Sequence, residues 1–186
     1  MTSSGPTSER VTRVTRSEPP RAFTLIEVLV VLGIVAVLLG LILAAVSKAI
    51  RAAESTACVA HLYQIGQAFT LYATHNGGRL PDPFVNHIAW ETSLSPYVGK
   101  NVFRCNADEE VFPAVGSSYD WRDTGDESTT LAAHKITDVC RADLLLAYES
   151  LPAWHARKMI NAVRLDGSAI TLDQEDCFAD IRKPVR

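Results

Sequence analysis

The pattern of apolar and polar positions along the chain predicts one long helix near the N-terminus. Residues 28–46 carry no charged side chain, which makes an uninterrupted run of 19 residues. As a helix, this run would span about 29 Å, close to the thickness of about 30 Å of a bilayer's hydrocarbon core. The run therefore predicts a helix that crosses a membrane.

The same helix should continue beyond the apolar run. Leu62, Ile65, Phe69 and Tyr72 recur at spacings of three and four, which indicates an amphipathic stripe that packs against a globular core. Asn76-Gly77-Gly78 follows, and glycine supplies the left-handed backbone that ends helices. We therefore expect a helix from Phe23 to about His75, or about 80 Å of chain.

The second half of the chain predicts a small β domain. Residues 79–135 are rich in Pro, Gly, Asp and Ser, which is typical of loops. Residues 142–148 resemble a buried strand, and residues 161–172 a hairpin that turns at Asp166-Gly167 in a type I′ turn. The predicted fold class is α+β, with the long helix packed on a small antiparallel sheet.

Composition and charge favour one membrane-anchored unit. The 186 residues are 47% hydrophobic, enough for one modest core and an additional segment. Residues 1–22 carry four arginines against two glutamates, whereas residues 48–186 carry 14 basic against 18 acidic side chains. A basic flank belongs in the cytoplasm. The chain is not basic enough to indicate nucleic-acid binding.

The first 22 residues are Ser, Thr, Pro and Arg with few apolar side chains, and they indicate a leader peptide. An ordinary secretory signal, cut within residues 44–49, is the alternative. Its apolar part is normally about 7–15 residues long, shorter than the run found here. The carboxylate of Glu27 at the start of the run also argues against it.

Residues 21–42, RAFTLIEVLVVLGIVAVLLGLI, resemble the N-terminus of the type IV pilin superfamily, which includes the pseudopilins of type II secretion. The resemblance implies cleavage between Ala22 and Phe23 and methylation of Phe23. It also implies that Glu27, fifth after the cut, neutralises the Phe23 ammonium of a neighbouring subunit. The residue before the cut is usually Gly in this family, and Ala22 replaces it here.

A second resemblance covers the C-terminal half. Segments such as ACVAHLYQIGQAFTLYATHNGGRLP, VFRCNADEE and WHARKMINAVRLDGSAITL are similar, in order, to a pilin-like family abundant in planctomycetes. The C-terminal signature of that family is a His, nine residues and Asp-Gly. Here ten residues separate His155 from Asp166, and Asn106 replaces the family's usual Pro after the Cys.

The resemblances imply a structural subunit of a pilus or a secretion pseudopilus, and not an enzyme. Residues 1–22 would be the cytoplasmic leader, 23–47 the membrane span, 48–78 the amphipathic half of the helix and 79–186 the periplasmic or extracellular domain. The implied partners are a prepilin peptidase, other pilin-like subunits and an assembly platform in the inner membrane. The alternative is a monomeric, membrane-anchored binding module that uses the loops at 79–135 to contact a ligand.

The candidate chemistry of the domain is limited. Four cysteines, Cys58, Cys105, Cys140 and Cys177, allow three disulfide pairings. We favour Cys58 with Cys105 and Cys140 with Cys177, since the first pair would tie the helix to the loop after it. No two cysteines have the spacing of a zinc ribbon.

Acidic loops offer the other candidate site. Asp120, Asp123 and Asp126 could supply oxygens to calcium, with Asp173, Glu175 and Asp176 as a second option, although a solvated loop is the favoured interpretation. We expect no other cofactor. His155 and Asp166 could form an acid–base pair, but no nucleophile motif accompanies them and the turn accounts for Asp166.

Overall fold

The computed structural model describes residues 24–152, 154–155 and 158–186. Within them it contains five α-helices, two 3₁₀ helices and one four-stranded antiparallel sheet. The helices are α1 (Leu25–His75), α2 (Pro83–Asn86), α3 (Trp90–Leu94), α4 (Val111–Val115) and α5 (Gln174–Ile181), and the 3₁₀ helices are Lys100–Phe103 and Ile136–Asp138. The strands are β1 (Tyr119–Trp121), β2 (Leu145–Glu149), β3 (Met159–Arg164) and β4 (Ala169–Asp173), in the order β1-β2-β3-β4. The predicted α+β fold, a long N-terminal helix packed on a small antiparallel sheet, is confirmed.

The chain divides into two compact units, of which one ends at Leu43 and the other begins at Ala44. In the first unit, the described side chains from Thr24 onward are all exposed. The second unit holds the amphipathic part of α1, the sheet and the short helices. The hydrophobic core of the protein lies in this second unit.

The end of α1 follows the predicted glycine signal. Gly77 and Gly78 have φ angles of 64° and 82°, and the backbone N–H of Gly78 donates to the carbonyl of Ala73 at 2.7 Å. Glycine adopts this left-handed backbone without the steric cost of a Cβ. The helix therefore ends at His75, as the sequence predicts.

The predicted apolar stripe of α1 faces the main core. Leu62, Ile65 and Phe69 are completely buried, and Tyr72 packs at the edge of the same cluster. The ring of Phe69 lies 5.0 Å from that of Trp121 in β1, measured between centroids. Aromatic pairs at this distance add to the free energy gained by burying their surface.

At Gly66, α1 lies close against the sheet. A Cβ placed on Gly66 would lie 3.0 Å from Cγ2 of Val163 in β3. The absence of a side chain at position 66 thus allows the helix to lie directly on the sheet.

The opposite face of the sheet packs against α5. Leu145, Ile160 and Ala162 form a second buried cluster with Cys177 of α5. Asp173 begins this helix, because its Oδ1 accepts the backbone N–H of Glu175 at 2.9 Å. We did not predict α5, although an N-capping Asp followed by acidic residues in the first turn is a known signal for a helix start.

The hairpin of β3 and β4 forms where the sequence predicts it, but the predicted turn type is wrong. Gly167 has a φ of 86°, whereas Asp166 is not among the residues with positive φ. A type I′ turn requires positive φ at both central residues. The bonds from Arg164 N to Ser168 O and from Gly167 N to Arg164 O, both 2.9 Å, define a three-residue loop with one left-handed glycine.

Candidate functional site

The start of α1 is closed by three reciprocal hydrogen bonds between Thr24 and Glu27. The backbone N–H and the hydroxyl of Thr24 donate to Oε2 of Glu27 at 2.9 and 2.8 Å. The backbone N–H of Glu27 donates in return to the Thr24 hydroxyl at 3.3 Å. This arrangement is a capping box, in which Thr or Ser is followed three residues later by Glu or Gln.

The capping box gives Glu27 a role that our sequence analysis missed, although the Thr-x-x-Glu pattern was its signal. Both bonds that the carboxylate accepts fall on Oε2, and a carboxylate can accept further bonds at its other oxygen. Ala22 and Phe23 lie outside the described residues. Cleavage at this position and pairing of the Phe23 ammonium with Glu27 therefore stay predictions.

The first half of α1 has the surface of a membrane helix. An 18-residue window has a mean hydropathy of 3.2, and none of it is buried inside the protein. Its large apolar side chains, from Leu25 to Val46, are 43–82% exposed. Soluble proteins rarely expose a continuous apolar surface of this size, so the helix suggests membrane anchoring.

Comparison with known families identifies this segment. A family model described as the prokaryotic N-terminal methylation motif matches residues 20–43. The chain carries a prepilin-type methylation signal. The signal supports a pilin-like chain, implies processing by a prepilin peptidase and suggests a structural subunit. Comparisons of the chain with curated proteins and with solved structures found no match.

The resemblance to the planctomycete pilin-like family stays a prediction. The prepilin-type signal spans 24 residues at the N-terminus, whereas the similarity to the planctomycete family rests on the C-terminal half. The family match at residues 20–43 does not extend into that half.

A buried cluster of cysteine, histidine and glutamate is the most distinctive site of the second unit. Cys58 of α1 and Cys105, which follows the 3₁₀ helix Lys100–Phe103, form a disulfide with 5.6 Å between their Cα atoms. Nε2 of His155 lies 3.3 Å from Sγ of Cys105 and 3.2 Å from Oε1 of Glu149. The side chains of His155 and Glu149 are only 5% and 2% exposed. We name these four residues the Cys-His-Glu cluster.

Glu149 is fixed in the cluster by Asn161 of the neighbouring strand β3. The backbone N–H of Asn161 donates to Oε2 of Glu149 at 2.9 Å, and its side-chain amide donates to Oε1 at 3.0 Å. Oδ1 of Asn161 accepts the hydroxyl of Thr171 in β4 at 2.7 Å, and its amide reaches Ser55 of α1 at 3.3 Å. A buried carboxylate is costly unless it is paired and hydrogen-bonded, and this network supplies its partners.

The second disulfide that we favoured is not formed. Cys140 and Cys177 are both free thiols. Cys177 is buried between α5 and the sheet, whereas Cys140 is exposed in the segment before β2. Burial, and to a smaller extent Asp180, raises the pKa of the Cys177 thiol to about 12, so this thiol stays protonated and unreactive.

The acidic loop does not support calcium binding. Asp120 Oδ1 accepts the backbone N–H of Trp121 at 2.8 Å. Asp126 Oδ1 accepts both the N–H and the hydroxyl of Ser128 at 2.8 and 2.7 Å, and these bonds lower the pKa of Asp126. Burial raises the pKa of Asp123, which disfavours its charged form. Among the described residues, the Cys-His-Glu cluster is instead a group whose possible metal-ligand atoms lie within 4.8 Å of one another.

The second acidic option also has a local explanation, since Asp173 is the N-cap of α5. His155 and Asp166, considered above as an acid–base pair, have separate partners. His155 contacts Glu149 and Cys105, while Asp166 accepts the N–H of Ser168 at 2.8 Å in the hairpin loop. Glu149, which our sequence analysis missed, was visible only as a carboxylate at the end of a buried strand.

Proposed function

We propose that this chain is a pilin-like structural subunit that is cut between Ala22 and Phe23, methylated on Phe23 and assembled into a pilus or a secretion pseudopilus. The observation that carries the proposal is the prepilin-type signal at residues 20–43, on the half of α1 whose apolar window has no residue buried inside the protein. Before assembly, residues 23–47 cross the inner membrane with the leader in the cytoplasm. Residues 48–78 then continue the helix into a periplasmic domain, residues 79–186.

In the proposed filament, Glu27 has two functions. Its Oε2 closes the first turn of α1 through Thr24, while the carboxylate charge neutralises the Phe23 ammonium of a neighbouring subunit. In hydrocarbon an ammonium and a carboxylate are each costly alone, so pairing them makes their burial tolerable. The partners are the prepilin peptidase, other pilin-like subunits and the inner-membrane assembly platform.

Mass spectrometry of the mature protein tests the processing step. We expect a first residue of Phe23 carrying one methyl group. An N-terminus near residue 50 would instead identify an ordinary secretory signal and contradict the proposal.

Two substitutions of Glu27 separate its two functions. Glutamine preserves a capping box but carries no charge, so Glu27→Gln should keep the helix start and still fail to assemble. Glu27→Ala should fail in the same way, and cleavage should persist in both variants. The measurement compares the membrane and sheared-filament fractions of each variant with wild type. Filaments of normal yield from Glu27→Gln would show that the charge is not needed.

A monomeric binding module with a pilin-type anchor is the second candidate. One observation favours it, a surface cleft of about 430 Å³ lined by residues of the 79–138 region and Arg186. Crosslinking from a cysteine placed near Phe23 distinguishes the candidates, since a filament gives a ladder of multimers and a monomer does not.

A further inference from the structure

The Cys-His-Glu cluster has the donor set of a zinc site. We propose that, when the Cys58–Cys105 disulfide is reduced, the cluster binds one Zn²⁺ through the two sulfurs, Nε2 of His155 and a carboxylate oxygen of Glu149. The potential ligand atoms all lie within 4.8 Å of one another. Sulfur, imidazole nitrogen and carboxylate oxygen are the ligands that zinc takes in proteins, in sets of four.

Two of the distances between ligand atoms already approach those of a tetrahedral site. From Zn–S bonds of about 2.3 Å and Zn–N or Zn–O bonds of about 2.1 Å, neighbouring ligands should be about 3.6 Å apart for S and N and about 3.4 Å for N and O. The corresponding distances are 3.3 Å from Cys105 Sγ to His155 Nε2 and 3.2 Å from that nitrogen to Glu149 Oε1. Binding requires that the two sulfurs separate to about 3.8 Å once their bond is broken, and that the other ligand atoms, which lie within 4.8 Å of one another, adjust to tetrahedral spacings.

The partners of Glu149 resemble those that support a carboxylate ligand in a metal site. Asn161 holds both oxygens of Glu149 and is itself fixed by Thr171. Such outer partners orient the ligands of a metal and tune its affinity. The spacing of the four ligands along the sequence does not indicate a site, because they come from α1, a loop, β2 and the segment between β2 and β3.

Charge and access also suit a cation that enters from the surface. Two thiolates and one carboxylate carry −3, so Zn²⁺ leaves a net charge of −1 in the cluster. A surface cleft of about 460 Å³ is lined by His155, Ser55, Ala52, Lys48 and Arg51. This cleft gives a route to His155, and its two basic side chains offset the remaining negative charge.

Reduction of the Cys58–Cys105 disulfide and the zinc binding that follows involve no redox change at zinc. A dithiol reductant gives two electrons and two protons to the Cys58–Cys105 bond, which yields two thiols and the disulfide of the reductant. A phosphine does the same with one water molecule and becomes a phosphine oxide. Zn²⁺ then displaces both thiol protons to solvent, since the thiolate is the ligand form of cysteine.

The test measures metal bound to the full chain in detergent. The chain is stripped with a chelator, treated with a phosphine or left oxidised, given Zn²⁺ and dialysed against metal-free buffer. We expect one zinc per reduced chain and none in the oxidised chain. Co²⁺ in place of Zn²⁺ should give sulfur-to-metal charge-transfer bands and the strong visible absorption of tetrahedral cobalt.

Matched variants distinguish a site of four ligands from two thiols that bind metal without His155 and Glu149. His155→Ala and Glu149→Gln should each weaken zinc binding at least tenfold, whereas Cys140→Ser, which removes a free thiol outside the cluster, should not weaken it. Equal zinc binding by His155→Ala, Glu149→Gln and wild type would overturn the proposal, as would loss of zinc from Cys140→Ser.

Circular dichroism of the same samples shows whether reduction unfolds the domain. A reduced chain that unfolds and refolds on addition of Zn²⁺ supports the site, because metal binding then drives folding. A reduced chain that takes up no zinc, folded or unfolded, overturns it.

Discussion

The buried ion pair of Arg122 and Asp180 connects the C-terminal helix α5 to the sheet. Its loss should lower the free energy of unfolding. The Arg122 side chain is completely buried and donates to the Asp180 carboxylate at 3.2 Å. It also donates to the carbonyls of Asp180, Thr129 and Lys183. Asp180 Oδ1 accepts the backbone N–H of Leu145 in β2 at 3.0 Å.

Removal of the carboxylate alone leaves a buried guanidinium without its counter-charge. Asp180→Ala should therefore lower the free energy of unfolding by about 3–5 kcal/mol. For a unit of this size, about 4 °C of melting temperature corresponds to each kcal/mol, so the expected loss is about 12–20 °C. The melting temperature is measured by circular dichroism on the full chain in detergent.

A double-mutant cycle then tests whether the charge is the cause. Arg122→Met with Asp180→Ala removes both charges, and the remaining cost is the partners lost by Leu145 and by three carbonyls, about 1 kcal/mol each. The double variant should be no less stable than Asp180→Ala, with a coupling of at least about 2 kcal/mol. Effects of the two substitutions that add within about 0.5 kcal/mol would refute the reasoning. Asp143→Ala is the control, because its exposed pair with Arg141 should contribute almost nothing.

Three further outcomes follow from the structure. Gly66→Ala should destabilise the fold, because its Cβ would lie 3.0 Å from Val163 and overpacking costs about 1–3 kcal/mol. In the Val163→Ala background the same change should instead stabilise by up to about 1 kcal/mol through helix propensity, and unchanged signs in the two melting curves would contradict this contact. At Asp108, burial by itself raises the pKa, but the Ser118 hydroxyl and the N–H groups at the start of α4 outweigh burial and hold the pKa below its ordinary value. A depressed pKa stabilises the fold above the unfolded value of about 3.9 and loses this effect as pH falls through the folded value. Asp108→Asn should thus melt below wild type at neutral pH, and the gap should close below about pH 4; a gap independent of pH would argue against the charge. Finally, excess calcium should leave the melting temperature of the oxidised chain unchanged, and a rise that Asp123→Ala abolishes would restore the calcium hypothesis.

The sequence by itself determined those features that depend on neighbouring residues. The apolar run at residues 28–46 and the stripe of Leu62, Ile65 and Phe69 follow the helical period, so they predicted α1 and its buried face. Gly77 and Gly78 predicted its end, and Asp166-Gly167 the hairpin of β3 and β4. These signals are local, because each depends on backbone preferences or on side-chain periodicity within one element.

Only the tertiary structure decided which distant groups meet. Cys58 and Cys105, 47 residues apart, form the disulfide that our sequence analysis favoured, but nothing in their spacing indicated that Glu149 and His155 would lie beside them. Arg122 and Asp180 are 58 residues apart, and the packing of α5 buries them together. The turn type depended on how β3 and β4 pair. Cys140 and Cys177 stay free because one lies at the surface and the other is buried on the α5 side of the sheet. Such contacts follow from how the elements pack, which the local pattern of a single sequence does not contain.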